Sequence, residues 1–210
     1  NLGCPAPMVA RKKRGSGLLP YPDEILEILQ QVLPQITVAV SIKTRLGYHN
    51  SSELLKLLPE LNHFALQEII IHARLGKQLY KGVNDVDGFA ACQPLSRHPL
   101  VYNGDITDLE TFKTVAARFP TVTRWMIGRG ALANPFLAEE IKGFRVETEE
   151  TRKRRLYAFH EELIARYSRR LSGPSHILGR VKQLWVYLIA SFPGREKFQK
   201  KILKSNDLES

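Results

Sequence analysis

Lysine, histidine, asparagine and arginine each stand where an apolar run closes, and they recur at regular intervals. The run ITVAVSIK ends at Lys43 and the run EIIIH at His72. PLVYN ends at Asn103, followed by Gly104 and Asp105, and TRWMIG ends at Gly128, followed by Arg129 and Gly130. Lys43, His72 and Asn103 would ring one pocket with donors, an environment that stabilises the anionic reduced form of a flavin. The Asn-Gly-Asp and Gly-Arg-Gly turns suit phosphate, because glycine lets backbone N–H groups approach an anion and Arg129 adds a charged donor. Cys4 lies in the constrained sequence Gly-Cys-Pro, where a thiol, protonated at neutral pH in its ordinary state, could act as an acid. The plainer readings are a snorkelling lysine, a hydrogen-bonded core histidine, two tight turns and a small buried cysteine. One glycine turn would favour those readings; two at matching positions favour phosphate.

Chemistry at successive strand ends is the layout of a (β/α) barrel active site. The intervals 43–72, 72–103 and 103–128 each fit one strand, one helix and two loops. The β-branched run Ile36 to Ile42 predicts a buried parallel strand, and further strands are predicted from Glu68 to His72, ending at Asn103, and through Trp125 to Ile127. Arg74, Lys77, Gln78, Tyr80 and Lys81 fall in the loop after the second. Helices are predicted after an Asp23 cap, from Ser51 or Ser52 to Leu61, from Val86 to Cys92, from a Thr107–Glu110 capping box to Arg118, and from Leu132 to Ile141. Beyond Glu147 no strand signal survives. Leu156, His160, Leu163, Ile164, Tyr167 and Leu171 form one helical stripe, broken at residues 172–174. Val181, Leu184, Trp185 and Leu188 form another, broken at Pro193-Gly194. Residues 1–146 therefore read as α/β and residues 147–210 as all-helical. Four βα units are half of the eight a closed barrel requires. The expected fold is the C-terminal half of a TIM-type (β/α)8 barrel followed by a small helical domain, and a first residue other than Met fits strands that precede Asn1.

The chain has 210 residues, 43% of them hydrophobic, enough for a sizeable core. No apolar run approaches the roughly 20 residues of a membrane helix, and no secretory signal opens the chain. Two cysteines make neither a disulfide framework nor a zinc pattern, so a reducing, cytoplasmic setting is expected. Residues 149–210 hold 14 Lys and Arg against 7 Asp and Glu, whereas residues 1–148 hold 17 against 14. A polyanion such as nucleic acid would be drawn to the tail, although a solvated lysine-rich helix face has the same composition.

Five motifs occur in order: NLGCP from Asn1, KTRLG from Lys43, IHARLGKQLYKG from Ile71, NGDI from Asn103 and MIGRGALANPF from Met126. Together they resemble the tRNA-dihydrouridine synthases along nearly the whole chain. The resemblance implies a flavin-bearing barrel followed by a helical tRNA-binding domain, FMN as cofactor and NADPH as reductant. It implies that Cys4 protonates C5 of the target uracil after hydride reaches C6. Lys43 and His72 would lie beside the flavin ring, and Asn103, Gly104, Asp105, Gly128 and Arg129 would contact flavin and phosphate. Asn1 and Tyr80 would face the substrate nucleotide. The segment RVKQLWVY resembles the bacterial type that modifies uridine 16, which implies that Arg180, Lys182 and Tyr187 touch tRNA, with Lys201 roughly at another basic contact. The resemblance also puts four further strands before Asn1.

Two other functions fit the same residues. One is a non-catalytic tRNA- or RNA-binding fragment, for which the skewed charge speaks. The other is a flavin-dependent reductase of a free pyrimidine, against which the basic tail speaks. An open four-stranded half barrel is expected to self-associate through its exposed edge and interior; no protein partner is otherwise implied.

Overall fold

The computed structural model describes residues 1–144, 147–192 and 195–207. These fall into two compact units, one of Asn1–Asp105 with Thr114–Ile127, the other of Ile106–Lys113 with the residues from Gly128 onward. The expected seam between residues 146 and 147 adjoins residues 145 and 146, and these, like the break at Pro193-Gly194, lie outside the described residues.

The first unit is built on a parallel sheet of β1 (Ser41–Gly47), β2 (Glu68–Leu75), β3 (Leu100–Asn103) and β4 (Trp125–Met126), in that order. Leu2 adds a parallel bridge to Thr44 on the outer side of β1. The helices of this part are α1 (Pro7–Ala10), α2 (Pro22–Val32), α3 (Ser52–Leu61) and α4 (Val86–Cys92); α5 (Leu109–Arg118) has its first residues in the second unit and its last in the first. Side chains alternate across a strand, so each strand shows two faces. Ile42, Leu46, Ile69, Ile71, Ala73 and Tyr102 form one face and are buried, as are Leu54, Leu57, Leu58 and Leu61 of α3 and Phe89 of α4. Phe89, Tyr102 and Phe119 meet as an aromatic cluster, with Phe89 4.9 Å from each of the other two ring centroids. The other face carries Lys43 and Arg45, then His72 and Arg74, then Asn103.

Three expectations are corrected here. Ile36 to Val40 do not form a buried strand: Ile36 is 37% and Val38 72% exposed, and β1 begins at Ser41. The reason is pairing. The ladder with β2 starts at Ser41 opposite Glu68; ahead of it the Val40 carbonyl accepts from the Gln67 N–H at 2.8 Å, and the residues before Gln67 belong to the end of α3 and its turns, so among the described residues no strand pairs with Ile36 to Ala39. Lys43 consequently sits inside its strand rather than at its end, and so does His72, because β2 runs on to Leu75. Arg74 is a strand residue and not a loop residue.

Helix starts differ in detail. Pro22 opens α2 at a position where its missing N–H costs nothing, with Asp23 in the first turn and not at the cap. Asp108 rather than Thr107 caps α5, its carboxylate accepting from the Thr111 N–H at 2.7 Å.

The second unit is helical: α6 (Arg129–Ala133), α7 (Leu137–Ile141), α8 (Glu149–Arg170), α9 (Pro174–Leu188) and α10 (Arg195–Lys204). The single helix expected over 132–141 is two, because Pro135 supplies no N–H and forces Asn134 into an extended conformation, φ −132° and ψ 95°. The ANPF segment is tied to α8 by two arginines. Arg152 donates to Glu140 at 2.7 Å, Arg155 donates to Glu139 and Glu147, and both guanidinium groups stand 4.8 Å from the Phe136 ring centroid. Ile177, Val181 and Leu188 bury the inner stripe of α9.

Candidate active site

The register of the sheet assembles the polar face. Lys43 pairs with Ile70, Arg45 with His72, His72 with Asn103, and Asn103 with Met126. Arg45, His72 and Asn103 thus stand side by side, with Lys43 two residues back on β1 and Arg74 two residues ahead on β2. His72 and Asn103 are brought side by side, while Arg45 fills the level that the sequence reading gives to Lys43. The Asn103 amide donates to the Met126 carbonyl at 2.8 Å and so ties β3 to β4.

The sequence reading names neither Arg45 nor Arg74 as a site residue, and both are almost wholly buried, 1% and 2% exposed. Arg45 donates to three backbone carbonyls: Gly3 at 3.2 Å, Leu75 at 2.8 Å and Leu79 at 2.6 Å. Its guanidinium carbon also lies 5.2 Å from the Tyr80 ring centroid. The Cys4 loop, the end of β2 and the Tyr80 turn therefore share one cation. Leu79 has φ +55°, a conformation a leucine holds only under constraint from its surroundings. Arg74 makes a bidentate pair with Asp105, donates to the Gly82 carbonyl at 2.7 Å and lies 3.3 Å from His72 Nε2. The Asp105 carboxylate is thus engaged by Arg74 rather than turned wholly to a ligand. The turn before it needs glycine: Gly104 has φ +148°, and a Cβ there would lie 2.7 Å from the Asn84 amide nitrogen.

Cys4 is partly buried and carries a free thiol. Its carbonyl accepts from the Ser16 N–H at 2.9 Å and the Ser16 hydroxyl at 3.0 Å. The Leu2 N–H donates to the Lys43 carbonyl at 2.7 Å, and Asn1 Oδ1 accepts from the Gly3 N–H at 2.9 Å. These contacts lay the first residues along β1 and fix the backbone on both sides of the thiol. Tyr80 comes over the same region, its ring centroid 6.2 Å from that of His72.

Burial, and then the Arg45 charge, lower the Lys43 pKa from its ordinary value. Burial is also the main cause that brings His72 down to about 3, with Arg45, Lys43 and Arg74 adding to it. His72 is therefore neutral at physiological pH. Below pH 6.5 the unfolded chain takes up a proton at this residue that the folded chain refuses until about pH 3, so stability falls as pH drops through that window. The expected slope from this group approaches about 1.4 kcal/mol per pH unit. Urea unfolding of the chain and of His72→Gln, from about pH 7 to about pH 5, checks it: the variant should lose less stability on acidification, and equal slopes would contradict the assignment.

In the second unit Gly128 precedes α6 and Arg129 is its first residue, exposed at the helix start. Gly130 has a packing reason of its own, since a Cβ there would lie 2.1 Å from the Ile106 carbonyl oxygen. Lys182 of α9 and Lys201 of α10 line one groove of about 300 Å³ together with Trp185 and His160, whose Nε2 accepts from the Trp185 indole at 3.0 Å. Arg180 and Tyr187, seven residues apart, share the opposite side of α9, where Arg180 donates to Gln183 at 3.2 Å. The four residues of the helical part expected to meet tRNA thus form two separate pairs.

The parallel α/β sheet thus has one apolar, helix-covered face and one face on which Lys43, Arg45, His72, Arg74 and Asn103 gather. The family model for dihydrouridine synthases matches residues 1–209. The tRNA-dihydrouridine synthase B of Pasteurella multocida strain Pm70 is 37% identical over 141 residues, covering 65% of this chain and 41% of that protein. The synthase B of Vibrio cholerae is 34% identical over 145 residues and that of Escherichia coli K12 35% over 147, each covering 69% of this chain and 45% of the relative. The chain belongs to the dihydrouridine synthase family. It spans under half the length of these relatives.

Proposed function

We propose that this chain belongs to an enzyme that reduces a uridine of tRNA to 5,6-dihydrouridine, with residues 1–146 as the second half of a TIM-type barrel and residues 147–210 as a helical tRNA-binding domain. The observation that carries the reading is the single sheet face on which Lys43, Arg45, His72, Arg74 and Asn103 converge beside the anchored Cys4 loop. A flavin fits such a face: its pyrimidine edge gathers negative charge on reduction, and Arg74 Nε is buried there without a hydrogen-bond partner. FMN, when bound, supplies hydride for C6 of the uracil, with NADPH as its source. The chain's own residues do the rest. Lys43 and His72 would donate to the bound flavin, Asn103, Gly104 and Asp105 would contact it, and Gly128 and Arg129 would hold its phosphate. Asn1 and Tyr80 face the nucleotide, and the Cys4 thiol gives its proton to C5, so that hydride and proton together saturate the C5–C6 bond. The base must leave its stack to be reduced.

Arg180 and Tyr187 on one side of α9, and Lys182 and Lys201 in the groove on the other, are the proposed tRNA contacts, with uridine 16 as the target and the cytoplasm as the setting. Among the described residues no helix is long and apolar enough to cross a membrane. The test is incubation of the chain with an unmodified tRNA transcript, FMN and NADPH, followed by mass mapping of the nucleosides. Dihydrouridine at one position is expected. Retention of tRNA with no dihydrouridine would overturn this reading in favour of a tRNA-binding fragment, for which the charge of residues 149–210 speaks.

A further inference from the structure

We infer that Arg74, held by Asp105, is a positioning residue that fixes His72 in the tautomer with hydrogen on Nδ1, so that the ring offers the polar face one N–H donor. The argument is one of donors and acceptors. A guanidinium can only donate, so His72 Nε2, 3.3 Å from Arg74 Nη1, must accept. A neutral imidazole that accepts at one nitrogen carries its hydrogen on the other. Arg74 cannot turn away from this contact without losing its other acceptors, because both Asp105 oxygens and the Gly82 carbonyl hold the same guanidinium. Asp105 is itself fixed by the Gly104 turn, which no side chain can replace without meeting Asn84. The groups that face the imidazole are Lys43 and Arg45 from β1, Arg74 on its own strand, Tyr80 beyond that strand and Asp105 after β3. Three are cations, and the one carboxylate is already paired. The ring is thereby kept both neutral and in one orientation. What the Nδ1–H meets depends on the flavin reading above; the tautomer itself does not.

The test uses the chain labelled with 15N-histidine and long-range proton–nitrogen correlation, which reports the state of each ring nitrogen. The His72 signals are identified among the six histidines by their loss in His72→Gln. A protonated-type Nδ1 and an unprotonated-type Nε2 are expected, unchanged on acidification to about pH 5. In Asp105→Asn the guanidinium loses its charged anchor, and exchange between the two tautomers should appear; Arg74→Lys, which keeps a donor and a charge, should retain more of the Nδ1–H form than Arg74→Met. A protonated Nε2 in the unaltered chain, or equal populations of the two tautomers, overturns the inference without recourse to any variant. Addition of FMN separates it from the proposed function: a shift of the His72 Nδ1 signal supports both, whereas a fixed tautomer that ignores FMN removes the flavin reading and leaves the Arg74 assignment standing.

Discussion

Cys4→Ala should lower dihydrouridine formation by about 10²- to 10⁴-fold, the range in which a positioned general acid contributes. In the proposed reaction, hydride delivered to C6 leaves electron density that must take a proton at C5, and Cys4 carries the thiol of the first loop. The substitution is clean in structural terms. The loop is held through its backbone, with the Cys4 carbonyl accepting from Ser16 and the Gly3 carbonyl accepting from Arg45, so loss of the sulfur leaves these contacts in place. FMN and tRNA affinities should therefore stay within about twofold of the unaltered chain, and the loss should appear in turnover. Cys4→Ser should recover little, because an alcohol is a far weaker acid than a thiol. An alanine variant that forms dihydrouridine at the original rate would remove Cys4 from the chemistry.

Arg45→Met carries the largest expected effect on stability. The methionine fills much of the volume but leaves the carbonyls of Gly3, Leu75 and Leu79 without their donor. A buried polar group deprived of its partner costs about 1–3 kcal/mol, so the three together predict a loss on the order of 3 kcal/mol or more. That is a substantial part of the stability of an ordinary domain. The damage should also spread to function, since the same cation holds the Cys4 loop and the strained turn at Leu79 that carries Tyr80. Urea unfolding gives the stability change directly, and limited proteolysis between Leu75 and Lys81 should become faster. A loss below about 1 kcal/mol would show that water replaces the guanidinium at these carbonyls without penalty.

Much of this arrangement was legible in the sequence, and the failures share a cause. The alternation of strand and helix, the spans Ser52–Leu61 and Val86–Cys92, and the strand end at Asn103 all follow from local signals. The ends of β1 and β2 do not, because the reading stops a strand at its first polar residue. In a sheet with one apolar and one polar face the strand continues in alternation. Ile42, Thr44 and Leu46 against Lys43 and Arg45, and Ile71 and Ala73 against His72 and Arg74, carry that period of two. Counted that way, Arg45 and Arg74 could have been found. The exposed run Ile36 to Val40 could not, since its burial depends on a pairing partner that no local pattern reveals. Nor could the groove shared by Lys182 and Lys201, which depends on how α10 lies against α9. Pro135 and Asp108 were readable and were outweighed by hydrophobic periodicity and by capping-box spacing.

The most direct test of the central claim, that the donor face of the sheet holds a flavin, is a fluorescence titration of FMN with the purified chain. Saturable quenching at one equivalent is expected, with affinity at least about tenfold weaker in Lys43→Glu, where a cation facing the pyrimidine edge becomes an anion. FMN fluorescence that stays unchanged across the titration would contradict the account, because the residues gathered on that face would then be gathered for something else.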